Sequence, residues 1–383
     1  MYYERRGKMS VYLDNAATTK PCSEAVEAAV KAMTENYGNP SSLHRAGLDA
    51  ELMLDSARKT IADSIGAEST NIIFTSGATE SNNLAIRGIC QAYGKRKKKI
   101  IASSVEHASV DETLSDMEKN GFEVVRISPR DDGNFYAEDF IKACDENTVL
   151  ITMMYVNNET GYILPVQETF SRIKKRFPDI VTHTDCVQAY MKINFRASKL
   201  SADLISLSGH KIHAVKGAGA LYIKKGIRIV PIITGGKQEK GIRSGTESVP
   251  LIAAFGAAVE RFSKDIESRY ERVSELKKYL TEKISEIQGI EINSPESGSP
   301  YIVNISQGKR SEIMLHYLES RGIYISSGSA CSKGQQSGVL GQFGITGKRA
   351  DCALRISMTA ETTENELDEF INALKDGMEN LRG

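Results

Sequence analysis

The sequence predicts an α/β protein with a mostly parallel central sheet under covering helices, followed by a smaller α+β domain. Three observations predict it. From residue 70 to about 225, short apolar runs alternate with helical patterns, as in sheets built from strand–helix–strand units. From Val259 to Ile287, apolar residues recur at steps of three and four, which reads as one long amphipathic helix. Beyond it, short strand-like runs stand between helical stretches. The 383 residues allow more than one domain.

In order, the strand candidates of the first part are 71–76 (NIIFTS), 99–104 (KIIASS), 123–128 (EVVRIS), 149–156 (VLITMMYV), 179–185 (DIVTHTD), 203–208 (DLISLS) and 219–224 (GALYIK). Right-handed crossovers between them would place their carboxyl ends on one edge, where such sheets bind ligands. The later candidates are GIEINS, YIVNIS and GIYISS, with TENELDEFINALKDGMENL as a closing helix. The expected division is a large domain over 12–259 and a small one over 260–383 that includes residues 1–11.

Lysine plus arginine and aspartate plus glutamate both number 49, so bulk charge gives no reason to expect nucleic acid or an anionic membrane. The basic run Lys95–Lys99 reads as a solvated turn. No transmembrane run and no secretory signal is visible, so the cytoplasm is the expected location. The six cysteines have neither C-x-x-C pairs nor zinc spacing, so no metal is expected. Five of them read as small apolar groups and free thiols.

The residues just past the strands carry chemistry. FTSGATESNNLAI passes from strand to helix through Gly77, Ala78 and Thr79, a small-residue turn that offers backbone N–H groups to a phosphate. His107 follows the next strand. Asn157 and Asn158 follow another and suit a turn. Asp185 ends a strand after an apolar run and needs a cationic or protonated partner if buried. Gln188 comes next, and Ser208, His210 and Lys211 end the strand after that. An anion cradle, a flat ring, an acid and an amine on one sheet edge fit pyridoxal 5′-phosphate. Its aldehyde wants a lysine, and its ring nitrogen stays protonated beside a carboxylate.

At these residues the chain resembles the cysteine desulfurases of the class V aminotransferase family, NifS/IscS branch. The resemblance runs through YLDNAATT, YGNPSSLH, FTSGATESNNLAI, EHASV, VNNETG, HTDCVQA, SGHKIHAVKGAGALYI, GIRSGTES and SSGSACS, in family order. It implies the type I fold of pyridoxal-phosphate-dependent transferases. It also implies Lys211 as the Schiff-base lysine, Asp185 as partner of the pyridinium nitrogen and His107 as the ring stacked on the cofactor. Gln188, near the phenolic oxygen, and Asn158 become cofactor contacts. Ala78, Thr79, Ser208 and His210 become phosphate-side ligands. Thr246 would reach the phosphate of a second subunit, which implies a homodimer. Arg355 would grip the substrate carboxylate, a task suited to a planar guanidinium.

Cys331, in a run of serines and glycines, matches the persulfide-forming nucleophile. The implied reaction removes sulfur from L-cysteine, leaves L-alanine and passes the persulfide sulfur to an acceptor protein. That acceptor is expected to be an iron–sulfur scaffold or an enzyme of tRNA or cofactor thiolation, with His107 as acid/base. Selenocysteine lyase, an aminotransferase and a non-catalytic sulfur-relay subunit are the rival readings. One departure lies beside the lysine, where His213, Ala214 and Val215 replace the family's tyrosine, glycine and proline. Lys237 and Lys240 are a second, on the expected rim.

Overall fold

A computed structural model describes residues 10–327 and 338–381. Among them are twelve strands: β1 Val11–Tyr12, β2 Ile72–Thr75, β3 Lys99–Ser103, β4 Glu123–Ile127, β5 Thr148–Thr152, β6 Val181–Asp185, β7 Leu204–Ser208, β8 Gly219–Ile223, β9 Glu291–Ile292, β10 Ile302–Ser306, β11 Ile323–Tyr324 and β12 Ala353–Ser357. They fall into two compact units. One holds Thr19–Tyr155 and Leu164–Ile266; the other holds the described residues through Thr18, Val156–Ile163 and those from Glu267 onward. The N-terminal residues thus group with the C-terminal part, and the main division falls after Ile266. The segment Val156–Ile163 leaves the larger unit directly after a strand-end region and groups with the smaller one.

The larger unit is built on a seven-stranded sheet in the order β2-β8-β7-β6-β5-β3-β4. Only β8 runs against its neighbours, so the other six strands share one direction. β5, β6, β7 and β8 are buried along their whole length, which is why they read as near-continuous apolar runs. The helices Ala78–Tyr93 and Ala108–Lys119 supply Leu84, Ile86, Ile89 and Leu114 to a core shared with Ile73, Ile100, Leu150 and Leu221. The run expected as a strand over 149–156 is shorter: β5 ends at Thr152, and Met154 N instead donates to the Glu106 carboxylate.

The smaller unit has the antiparallel sheet β12-β10-β9 and the parallel pair β1 and β11. Its core joins Val273, Leu276, Leu280 and Ile284 to Val303, Ile305, Leu354, Ile356, Phe370 and Leu374. The closing helix Glu364–Asn380 starts at a capping box, in which Thr363 and Glu366 satisfy each other's backbone N–H groups. The long helix expected from Val259 to Ile287 is two helices, Val249–Phe262 and Ile266–Ser285. The turn Ser263-Lys264-Asp265 breaks it, and the division between the units falls just beyond that turn. No helix among the described residues is long and apolar enough to cross a membrane.

Candidate active site

The site of the larger unit is set by strand direction. The carboxyl ends of β2, β3 and β7 lead into the turns that carry Gly77, His107 and Lys211, and β6 ends on Asp185 itself. Ser208 pairs with Gly219, and Gly219 pairs with Thr75, so the turn after β2 lies two strands from the turn after β7. A Cβ on Gly219 would stand 2.6 Å from Gly77 Cα, so the turn after β2 packs against the start of β8 only because Gly219 lacks a side chain.

Lys211 ends a single 3₁₀ turn, Gly209–Lys211, and is half-buried. The turn is tied down from several sides. Gly209 N donates to Ala218 O, and Ile212 N and Ala214 N both donate to Gly209 O. Thr19 donates to His210 O through its backbone N–H and its hydroxyl, each at 2.9 Å. Thr19 Oγ1 in turn accepts from His213 N at 2.7 Å. His213 holds a left-handed φ of 63°, its Nδ1 lies 3.0 Å from Lys20 O, and its ring packs on Phe262. The departure at position 213 is therefore a backbone corner with a packed ring. Burial, reinforced by the Lys211, Lys216 and Lys192 charges, pushes the His210 imidazole down to about 4 and keeps it neutral.

Asp185 is 5% exposed. Its Oδ1 accepts from Val187 N at 2.9 Å and its Oδ2 from Asn82 Nδ2 at 2.8 Å. Asn82 Nδ2 also donates to Ser109 Oγ at 2.8 Å, and that hydroxyl lies 2.9 Å from His107 Nδ1. A polar chain therefore joins the imidazole to the acid through two residues that composition and spacing did not single out. Asn82 falls within the quoted SNNLAI run, where its only signal is an amide at a helical position facing the core.

His107 caps the helix Ala108–Lys119: its Nδ1 accepts from Ser109 N at 3.1 Å. A neutral ring that accepts at Nδ1 carries its proton on Nε2. Burial favours that neutral form, lowering the His107 pKa against the pull of Asp185, and Lys211 lowers it further. The preceding Glu106 is buried, with Oε1 bonded to Ser103 Oγ and Met154 N. Burial raises its carboxyl to about 8.

On the cradle side, Gly77 precedes the helix Ala78–Tyr93, and the space a Cβ would take at Gly77 is open to 4 Å. Ala78 is half-buried and Thr79 exposed in the first turn of that helix. Glu80 braces it, accepting from Ser76 N at 2.9 Å and from Arg243 Nε at 2.9 Å. Arg58 holds Glu239 through both carboxylate oxygens at 2.7 Å, although Glu239 and Lys240 sit at left-handed φ of 46° and 59°. Thr246, beyond these anchors, is exposed.

The residues fit pyridoxal 5′-phosphate on an observation made without it. Ser208 Oγ is fully buried and has no hydrogen-bond partner among the described residues. An orphaned hydroxyl in a polar site costs free energy unless a bound oxygen meets it. Ser208 pairs with Gly219, the residue that abuts Gly77, and directly precedes the turn that ends at Lys211.

In the smaller unit, Arg355 is 3% exposed. Its Nη1 donates to Asn158 O and its Nη2 to Asp14 Oδ1, both at 2.9 Å, while Nε has no partner among the described residues. Asn157 uses its side chain for a local turn, accepting from Glu159 N and Thr160 N. Cys331 lies outside the described residues. Of the five described cysteines, Cys90, Cys144, Cys186 and Cys352 are buried and Cys22 is half-buried. Burial raises every one of these thiols, Cys144 to about 11 and Cys90 to about 12.

Comparison with known proteins extends this geometry. The family model for class V aminotransferases matches residues 11–370. A protein of Dictyoglomus turgidum named cysteine desulfurase IscS is 40% identical over 380 residues, covering 98% of this chain and 96% of its own. A Methanosarcina thermophila protein of the same name is 38% identical, with 97% and 93% covered. Among solved structures, a NifS-like protein superposes with a TM-score of 0.92 at 34% identity, over 97% of this chain and all of its own. A structure titled SspA in complex with cysteine gives a TM-score of 0.82 at 33% identity, over 93% of this chain and all of its own.

Proposed function

Because the chain belongs to the class V aminotransferase family, among its NifS/IscS-type cysteine desulfurases, we propose that it removes sulfur from L-cysteine with pyridoxal 5′-phosphate. The observation that carries this reading is the convergence of Lys211, Asp185, His107 and the orphaned Ser208 hydroxyl on one sheet edge. Bound at that edge, the cofactor supplies an aldehyde for an amine and a ring that withdraws electrons.

The chain's own groups do the rest. Lys211 would hold the cofactor through its amine, and that amine would be the base for the substrate α-proton. Asp185, fixed by Asn82 and the Val187 N–H, holds the proton on the ring nitrogen. Ser208 Oγ, Ala78, Thr79 and His210 serve the phosphate side, and Gln188 the phenolic oxygen. Asn158 contacts cofactor and substrate, and Arg355 binds the substrate carboxylate. His107, neutral with its proton on Nε2, exchanges protons with the thiols. The Cys331 thiolate attacks the substrate sulfur; a sulfur–sulfur bond forms, the carbon–sulfur bond breaks, and protonation at carbon leaves L-alanine. The raised thiols of the other cysteines support this choice of nucleophile.

The persulfide sulfur passes to an acceptor protein, an iron–sulfur scaffold or a thiolation enzyme, in the cytoplasm. The working species is a homodimer. Support comes from an exposed apolar face in the larger unit, where Val26, Val30 and Met33 recur along the helix Ser23–Thr34 and Leu48 and Leu52 along Arg45–Ser64.

The test is turnover of L-cysteine by purified, cofactor-loaded protein, with alanine and sulfide both measured. Lys211→Ala should lose the visible cofactor band and all turnover. Cys331→Ser should keep the band and bind cysteine yet release no sulfide. An unchanged band in the first variant, or full sulfide output from the second, refutes the assignments.

A further inference from the structure

Four residues beyond Gln188 lies a second buried amine. Lys192 is 7% exposed and Gln188 4% exposed. Lys192 Nζ donates to Gln188 Oε1 at 3.1 Å. Both stand in the compact turn after β6, which is held by Ala189 N and Tyr190 N donating to Cys186 O and by Lys192 N and Ile193 N donating to Ala189 O. Met191, at a left-handed φ of 56°, bends the backbone just before Lys192. The amine belongs to the same electrostatic neighbourhood as Lys211, since the charges of both act on His210.

An ammonium has only donors, whereas the two ends of a glutamine amide differ: Oε1 accepts and Nε2 donates. Where a buried lysine meets the amide, only the orientation with Oε1 toward the lysine is bonded. The opposite orientation sets N–H against N–H in a place without water to relieve it.

We propose that Lys192 is a positioning residue for the desulfurase reaction, fixing the Gln188 amide so that Gln188 presents a donor, and never an acceptor, to the phenolic oxygen of the cofactor. This rests on the functional reading above and goes beyond it by explaining what sets the Gln188 contact. The phenolic oxygen is anionic in its working form. A donor there stabilises that anion, while a flipped amide would put a carbonyl oxygen against it.

The test uses the holoenzyme and free pyridoxal 5′-phosphate. Lys192→Met keeps the length of the stem and removes the donor and the charge. It should displace the visible absorption band of the bound cofactor and raise its dissociation constant by roughly tenfold, the order expected for one charge-assisted hydrogen bond. kcat should fall with little change in KM for L-cysteine. Lys192→Arg should restore the band, because it restores the donor. Gln188→Glu keeps the bond to Lys192 but has no N–H to offer, so it should displace the band with Lys192 intact. This variant also carries the test if Lys192→Met does not fold. The pair Lys192→Met with Gln188→Ala should add little to either single change, since both remove one and the same contact.

A wild-type band and affinity in Lys192→Met, or in Gln188→Glu, overturns the inference, and so do changes that simply add in the double variant. A wild-type chain that takes up no pyridoxal 5′-phosphate overturns the functional reading and this inference with it.

Discussion

At the scale of single residues, the site depends on groups that do not themselves meet the chemistry. Asn82 has one NH₂ group and spends it on two acceptors, the Asp185 carboxylate and Ser109 Oγ, each at 2.8 Å. The first bond is charge-assisted, the kind worth about 1.5–3 kcal/mol. Among the described residues, Asn82→Ala leaves Asp185 with only the Val187 N–H as a donor and releases the link to His107. The expected outcome is a dissociation constant for pyridoxal 5′-phosphate raised on the order of tenfold, measured by titrating apoprotein and following the visible band. Asn82→Asp should do worse than Asn82→Ala, because it puts a second carboxylate beside the first. Equal affinity in all three proteins would remove Asn82 from the site.

At the scale of elements, strand ends and the turns that follow them carry the design, and they were also the most legible part of the sequence. The runs of β2 and β7 stop at polar or small residues that the structure places on the active edge, Thr75-Ser76-Gly77 and Ser208-Gly209, whereas the antiparallel β8 ends on the opposite edge. The contact between the turn after β2 and the start of β8 is one place where a small change should be costly. Gly219→Ala would set a Cβ 2.6 Å from Gly77 Cα and 2.9 Å from Leu207 O, both backbone atoms in the sheet or its turn. Overpacking of this kind costs about 1–3 kcal/mol. The variant should therefore melt several degrees lower, read by circular dichroism, and bind the cofactor more weakly as Gly77 is displaced.

What the sequence hid is of another kind. The links from Asn82 to Ser109 and to Asp185 span 27 and 103 positions, and local pattern says nothing about contacts at that distance. The excursion of Val156–Ile163 into the smaller unit is equally non-local. The break at Ser263-Lys264-Asp265 was masked because apolar residues on either side keep helical phase across it. Asn158 and Arg355 were named through resemblance to a family; the bond from Arg355 to Asp14 became visible only once β12 had been placed.

At the scale of the whole molecule, the buried titratable groups shape stability against pH. His183 is fully buried between Thr152 Oγ1 and Ser206 Oγ, and burial lowers its pKa to about 3. His210 is lowered to about 4. Groups lowered in this way stabilise the fold above their unfolded pKa of about 6.5 and lose that contribution as pH falls through the folded values. Glu106 has the opposite sign. Its carboxyl is raised to about 8, so its contribution is complete below the unfolded value and is lost as pH rises through about 8. Stability should therefore peak near neutrality. Glu106→Gln keeps an acceptor for Met154 N and cannot ionise. Relative to wild type, it should gain about 1.4 kcal/mol per pH unit between about pH 6.5 and 8, measured by urea unfolding of both proteins in the same buffers. A difference that does not change with pH would mean that Glu106 is ionised in the folded chain.

Association is the other property that belongs to the whole molecule. Val26, Val30 and Met33 are 46%, 47% and 57% exposed, and Leu48 and Leu52 are 45% and 56% exposed. Tyr37 and Leu43, between the two helices, are exposed further still, at 78% and 106%. Apolar side chains recurring at steps of three and four on a surface helix ordinarily face a core, and here no part of the described chain covers them. A second copy of the chain is the cover proposed above. Val30→Glu with Met33→Glu places two like charges among these side chains, where burial without partners is costly. Light scattering should then report a monomer. If Thr246 serves the neighbouring cofactor, the monomer should also bind pyridoxal 5′-phosphate less tightly, and Thr246→Ala in the intact dimer should reproduce that loss without changing the mass. A double variant that stays dimeric would move the interface to another face. A monomer with undiminished cofactor affinity would make each site complete within one chain.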